Sequence, residues 1–118
     1  MQKRKGFTLV EIMIVVVIIG LLAVMALPAF NKVRQTSQTN VVINNLRQLA
    51  NAADQHFIET GETQATWADL VGTDKYVKTA PKAVGGESYA NSFATINQGF
   101  TQLTINVPAL NTVVTFNQ

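Results

Sequence analysis

The first 27 residues place a short basic stretch directly before a long apolar run. Gly6 separates the two, and residues 7–27 carry a single charged side chain, Glu11. As a helix, these 21 residues would span about 31 Å, roughly the hydrocarbon thickness of a bilayer. The pattern therefore predicts a helix that can cross a membrane. The basic residues before it are Lys3, Arg4 and Lys5.

After Pro28 the apolar positions change to a spacing of three and four residues. This spacing is typical of one face of an amphipathic helix. Gly61 is the predicted stop, because glycine is favoured just past the end of a helix. The sequence thus predicts one helix over residues 7–60, apolar in its first half and amphipathic in its second. The stripe consists of Val42, Leu46, Leu49, Ala53 and Phe57.

The rest of the chain predicts small elements packed on that stripe. Residues 66–71 suggest a helical turn with Thr66 as its cap and with Trp67 in the core. A loop is expected over residues 72–91. The threonine and β-branched residues that follow predict strands over 93–96, 100–107 and 112–116. The predicted fold class is α+β, with one long N-terminal helix packed on a small three-stranded antiparallel sheet.

Glu11 is the anomaly of the apolar run. A charged carboxylate at the centre of a bilayer costs roughly 2.5–3.5 kcal/mol and usually marks a functional contact. We therefore expect a partner that neutralises it. The alternative is that Glu11 lies near the start of the helix, where the macrodipole favours an acid and the side chain can reach the interface.

Gly20 and Pro28 define a second candidate site within the same helix. Glycine lowers local helix stability, and proline removes a backbone donor and kinks the helix. The stretch between them is a predicted hinge. The alternative is that both residues are simply more common in transmembrane helices than in soluble ones.

The stretch GFTLVEIMIVVVIIGLLAVMALPAF, with the basic triplet before it, resembles the leader junction and first helix of type IV pilins and type II secretion pseudopilins. The resemblance covers about a third of the chain and rests on the charged leader, Gly6, Phe7, Thr8 and Glu11 together. It implies that a prepilin peptidase cuts between Gly6 and Phe7 and methylates the new amino terminus of Phe7. It also implies partial unwinding between Gly20 and Pro28 in a filament.

A physical argument explains why a carboxylate at Glu11 would be useful in such a subunit. Cleavage leaves an ammonium on Phe7, and in a filament the ammonium of one subunit can pair with the Glu11 carboxylate of its neighbour. Removal of either charge would strand the other in a low-dielectric environment, so the pair can fix the register of assembly even if its net stabilisation is small.

These features predict three segments and a topology. Residues 1–6 are the leader, residues 7–28 are the transmembrane and filament-core half of the helix, and residues 29–118 are a periplasmic or extracellular globular domain. The basic leader places the amino terminus in the cytoplasm. The expected location is the inner membrane, with the assembled filament in the periplasm or at the cell surface. The partners implied by the resemblance are copies of this chain, other pilin-like subunits, the peptidase and methylase, and an inner-membrane assembly platform with its ATPase.

Composition narrows the function further. The formal net charge of +2 comes from nine basic and seven acidic residues, and three of the basic ones lie in the predicted leader. The cleaved chain is thus not basic, which does not suggest a nucleic-acid partner. His56 is the single histidine and cysteine is absent. The sequence predicts no catalytic residue, cofactor or metal, and no acidic residue follows Glu87 to build the calcium site usual in major pseudopilins.

Three functions remain open at this point. The first is a structural subunit of a pilus-like filament; a type II secretion pseudopilin is preferred over a type IV pilus subunit for adhesion, motility or DNA uptake, because the water-facing domain is small and lacks the cysteine pair of many pilins. The second is a binding module released after removal of a secretory signal. The third is an anchored protein that never polymerises and binds DNA through Lys75, Lys78 and Lys82, although these lysines more simply form a solvated face.

Overall fold

The computed structural model describes residues 5–118, so the predicted leader residues Lys3 and Arg4 lie outside the described residues. Its main element is helix α1, Leu9–Thr60, which continues without a break through Gly20 and Pro28. The helix begins two residues after the predicted start and ends at the predicted residue. Gly61 follows with a φ of 72°, a left-handed conformation that favours glycine, and its N–H donates to the carbonyl of Phe57 at 3.0 Å.

The chain divides into two compact units, one that ends at Gln35 and one of Thr36–Gln118. The first unit is helical from Leu9 onward, and its described residues are all exposed. The second unit contains the end of α1 and the remaining elements. The predicted boundary between residues 28 and 29, which concerns the membrane and not the packing, stays a prediction.

The predicted stripe of α1 forms the centre of the core in the second unit. All five stripe residues are buried, as are Ala50, Ala52 and His56 between them. They pack in one cluster with apolar residues of the later elements, so the periodicity correctly identified the buried face. The cluster partners that are themselves buried are Ala65, Leu70, Val77, Tyr89, Phe93, Ile96, Leu103, Ile105, Val107 and Val114.

The sheet is arranged differently from the prediction, although the α+β class is confirmed. Four strands form two antiparallel pairs: β1 (Gln64–Thr66) with β2 (Thr95–Asn97), and β3 (Gln102–Val107) with β4 (Thr112–Asn117). The predicted three-stranded meander is therefore wrong. The physical reason is that β2 pairs with β1, the strand that follows α1 in the chain. The turn at Gly99 therefore does not join β2 and β3 as a hairpin.

Three short helical turns complete the second unit. Helix α2 (Trp67–Leu70) follows Thr66, whose N–H and hydroxyl both donate to the carboxylate of Asp69, as the sequence predicted. Trp67 is half-buried at the edge of the core, and Leu70 occupies the centre. Helix α3 (Tyr89–Ser92) begins within the predicted loop, and a 3₁₀ turn (Pro108–Leu110) joins β3 to β4.

Glu87 holds the segment before α3 in place. The residue is 4% exposed, and its carboxylate accepts hydrogen bonds from the N–H of Val84 at 2.9 Å, the N–H of Gly85 at 2.7 Å and the Tyr89 hydroxyl at 3.0 Å. Burial by itself would raise the pKa of Glu87, but these donors lower it below its ordinary value of 4.5. The Tyr89 hydroxyl also accepts from the side-chain amide of Asn45 on α1 at 2.9 Å, which links this segment to the helix.

Glu87 should make the second unit sensitive to acid. Because its folded-state pKa is lowered, its stabilisation is present above the unfolded pKa of about 4.5 and is lost as the pH falls through the folded pKa. We expect Glu87→Gln to lower the free energy of unfolding at pH 7 by about 1.5–3 kcal/mol, since an amide N–H₂ would face backbone donors, and to flatten the dependence on acid. Urea unfolding of the full chain in detergent micelles, followed by Trp67 fluorescence, measures this. The control is Asp74→Asn, an exposed carboxylate, and equal acid dependence in both variants would contradict the assignment.

Candidate assembly segment at the amino terminus of helix α1

The first half of α1 exposes a continuous apolar surface. Its large apolar side chains between Leu9 and Leu27 are each exposed by 50% or more. A water-soluble monomer rarely exposes a contiguous apolar surface of this extent. By length and composition, α1 can cross a membrane. The surface therefore requires an apolar covering, either lipid or neighbouring apolar helices.

Thr8 and Glu11 form a reciprocal capping box at the start of this helix. The Glu11 N–H donates to the Thr8 hydroxyl oxygen at 3.2 Å, and the Thr8 N–H donates to Glu11 Oε2 at 3.0 Å. Thr8 is the residue before the helix, and its carbonyl accepts the N–H of Ile12 at 3.3 Å. The Glu11 carboxylate is therefore bonded to the start of its own helix, a contact that the sequence analysis did not predict.

The predicted cleavage site lies immediately outside the helix. Residues 5–8 are in neither helix nor strand, and Lys5, Gly6 and Phe7 are exposed. The Phe7 side chain is 87% exposed. The structure thus brings Gly6, Phe7 and Glu11 within one short segment, with the Gly6–Phe7 peptide bond two residues before the first helical residue.

Gly20 and Pro28 both lie within uninterrupted helix. A methyl group added at Gly20 would meet no atom within 4 Å, so packing in the single chain does not require glycine there. Pro28 lacks the N–H that would bond to residue 24. The predicted unwinding concerns an assembled filament and stays a prediction.

A polar cleft lies at the other end of α1 and contains the single histidine of the chain. It has a volume of about 350 Å³ and is lined by His56, Glu59, Thr60, Asp69, Asp74, Lys75 and Tyr76. His56 Nε2 donates to Glu62 at 3.0 Å, and the Tyr76 hydroxyl donates to Glu59 at 2.6 Å. These groups bond to one another in pairs that join the end of the helix to the following loops. Across residues 5–118, no group of three or more histidine or acidic side chains is arranged to hold a metal ion.

The three lysines of the alternative DNA-binding hypothesis are exposed at separate positions. Lys75 lines the polar cleft beside acidic residues, and Lys78 and Lys82 follow it in the loop that precedes α3. Asn45 donates to the backbone carbonyl of Lys82 at 3.4 Å, which leaves the Lys82 ammonium out of that contact. This arrangement suits a solvated face.

Comparison with known proteins identifies the same amino-terminal segment. Residues 1–27 match the family described as the prokaryotic N-terminal methylation motif. Fimbrial protein Q of Moraxella bovis is 35% identical over 99 residues, which cover 84% of this chain and 61% of that protein. Type IV major alpha-pilin of Moraxella bovis is 37% identical over 89 residues, which cover 70% of this chain and 56% of that protein.

A third relative matches a shorter stretch: type IV major pilin protein PilA of Myxococcus xanthus (strain DK1622) is 44% identical over 57 residues, 48% of this chain and 26% of that protein. The chain spans about 60% of the length of the first two relatives. No solved structure matches the chain. These relatives are named pilins and fimbrial proteins, which supports the pilus alternative better than the preferred secretion pseudopilin.

Proposed function

We propose, since the chain belongs to the type IV pilin family, that it is a structural subunit of a type IV pilus. In this proposal residues 7–28 anchor the precursor in the inner membrane, with residues 1–6 in the cytoplasm and residues 29–118 on the far side. The subunit then leaves the membrane and joins a helical filament of its own copies. The single observation that carries the proposal is the capped, apolar, exposed helix start with one carboxylate, in a chain similar to named pilins.

Processing converts the amino terminus from a neutral peptide into a charged group. Water adds to the Gly6 carbonyl carbon, the bond to the Phe7 nitrogen breaks, and that nitrogen takes up both protons of the water. The leader departs with a carboxylate on Gly6, and Phe7 carries an ammonium. The peptidase and methylase that act there, and the platform and ATPase that drive polymerisation, are the partners this proposal requires.

The new ammonium gives Glu11 a partner in the filament. In lipid, apolar side chains gain little from exchanging acyl chains for a neighbouring helix, so apolar packing alone selects no register. A carboxylate and an ammonium in a low-dielectric environment attract strongly only when they meet, and each is costly when left alone. The Phe7–Glu11 pair therefore selects the axial position at which an incoming subunit docks.

A type II secretion pseudopilin is the second candidate. Its support is that the sequence lacks the cysteine pair of many pilins. The two candidates share every step above and differ in what the filament does. A strain that lacks this chain separates them, because loss of surface pili supports the pilus subunit and loss of protein export supports the pseudopilin.

The first prediction of this proposal concerns the mature chain. Subunits purified from filaments should begin at Phe7 and carry one additional methyl group on the amino terminus, as measured by intact mass and terminal fragmentation. Precursor accumulated without the peptidase is the control and should retain residues 1–6. A mature chain that begins within residues 26–30 would instead indicate a secretory signal and a released domain.

The second prediction isolates the charge of Glu11. Glu11→Gln retains a side-chain oxygen that can accept the Thr8 N–H, so the helix start should persist while the charge is lost. We expect incorporation into filaments to fall by at least about tenfold, in line with the large cost of an unpaired buried charge. The ratio of subunit in sheared filaments to subunit in membranes measures it, with Gln48→Ala, an exposed position on α1, as control. Normal incorporation of Glu11→Gln would refute charge pairing.

A further inference from the structure

We infer that Thr8 is a positioning residue for cleavage of the Gly6–Phe7 bond. Its hydrogen bonds with Glu11 make helix α1 begin after the Gly6–Phe7 bond. The Gly6 carbonyl is thereby left available to the peptidase. The inference rests on the proposed function, which places the cut there. It gives the threonine a role before assembly, separate from the charge pairing of Glu11.

The capping box commits the backbone groups that would otherwise let the helix start earlier. In an α-helix each N–H bonds to the carbonyl four residues before it. If α1 extended toward the leader, the Val10 N–H would take the Gly6 carbonyl and the Glu11 N–H would take the Phe7 carbonyl. Here the Glu11 N–H is bonded to the Thr8 hydroxyl, and the first helical bond runs from Ile12 to the Thr8 carbonyl.

In a membrane, loss of this cap favours extension of the helix toward the leader. The first N–H groups of a helix have no partner within it, and such groups are costly in an apolar environment. A capping box supplies partners at the point where the apolar run begins. Without it, extension by a turn carries the unpaired N–H groups past Gly6 toward the basic, water-facing leader.

Extension of that kind would obstruct the chemistry of cleavage. When water adds to the Gly6 carbonyl carbon, charge develops on the carbonyl oxygen and requires donors supplied by the peptidase. A Gly6 oxygen already bonded to the Val10 N–H lies inside a helical turn and must first be released by local unfolding. The capped start removes this step, because residues 5–8 are already outside the helix.

The chain offers variants that separate the cap from the charge. Thr8→Val keeps the size and branching of the side chain and removes the hydroxyl. Thr8→Ser restores the hydroxyl, and Glu11→Gln keeps a capping oxygen without the charge. The cap and the charge pair are therefore disrupted one at a time.

The experiment measures cleavage of the full precursor, reconstituted in phospholipid vesicles with a prepilin peptidase, by the initial rate of leader release at several precursor concentrations. We expect Thr8→Val to lower the cleavage efficiency by about three- to tenfold, the range that loss of a helix cap implies. Thr8→Ser should remain within about twofold of the wild type because it retains the cap, and so should the control Gln48→Ala at an exposed position of α1. Hydrogen exchange of the Val10 amide should slow in Thr8→Val alone, and unchanged Trp67 fluorescence checks that the second unit is folded.

Two results would overturn the inference: cleavage of Thr8→Val at the wild-type rate, or a Thr8→Ser variant as slow as Thr8→Val. Both leave the proposed function intact, because the wild type is still cut at Gly6–Phe7. If the wild type is not cut there while the same peptidase cuts a control prepilin, the proposed function fails and this inference fails with it.

Discussion

The apolar first half of α1 is left uncovered by the chain itself, and the proposed role of the molecule follows from that constraint. Its large apolar side chains are at least half exposed over five turns of helix. The hydrophobic effect makes such a surface unfavourable in water, so it requires lipid or other apolar helices around it. In the proposed filament, the Glu11 carboxylate sets the position at which a subunit docks, because it is the only charged group of residues 9–27.

The second unit, by contrast, buries its apolar residues, and it has to be stable with a small core and without disulfides. The buried stripe of α1 packs on two separate strand pairs, and part-buried hydrogen bonds from Gln38 and Asn45 join the segment before α3, and α3 itself, to the helix. Glu87 accepts hydrogen bonds from two backbone N–H groups of the segment before α3 and from the Tyr89 hydroxyl at the start of α3. Gly85 is required there, because a methyl group on it would lie 2.4 Å from Val107. From residue 83 onward the only charge is this buried one, so that part of the surface is polar and uncharged.

The sequence predicted the elements that depend on local periodicity. It did not predict the pairing of strands that are far apart in the chain. The stripe from Val42 to Phe57 and the stop at Gly61 follow from helical spacing and glycine chemistry. Strand β1 has three residues, too few for an alternating pattern, and its partner lies some thirty positions later. The burial of Glu87 could not be foreseen, because its partners are mostly backbone groups. The Thr8–Glu11 spacing, by contrast, matches the sequence signature of a capping box and could have been predicted.

Under the proposed function, the helix start has to satisfy two demands that conflict. Cleavage requires an extended backbone at Gly6–Phe7, whereas assembly requires a rigid helix directly after it so that the ammonium and the carboxylate are held at a fixed separation. A frayed start would meet the first demand and a longer helix the second. A capping box meets both, because it makes the transition from extended chain to helix within one residue. The Glu11 carboxylate can then serve in sequence, first by bonding to the Thr8 N–H of its own chain and later by pairing with the ammonium of a neighbour, without a change in the position of the helix that carries it.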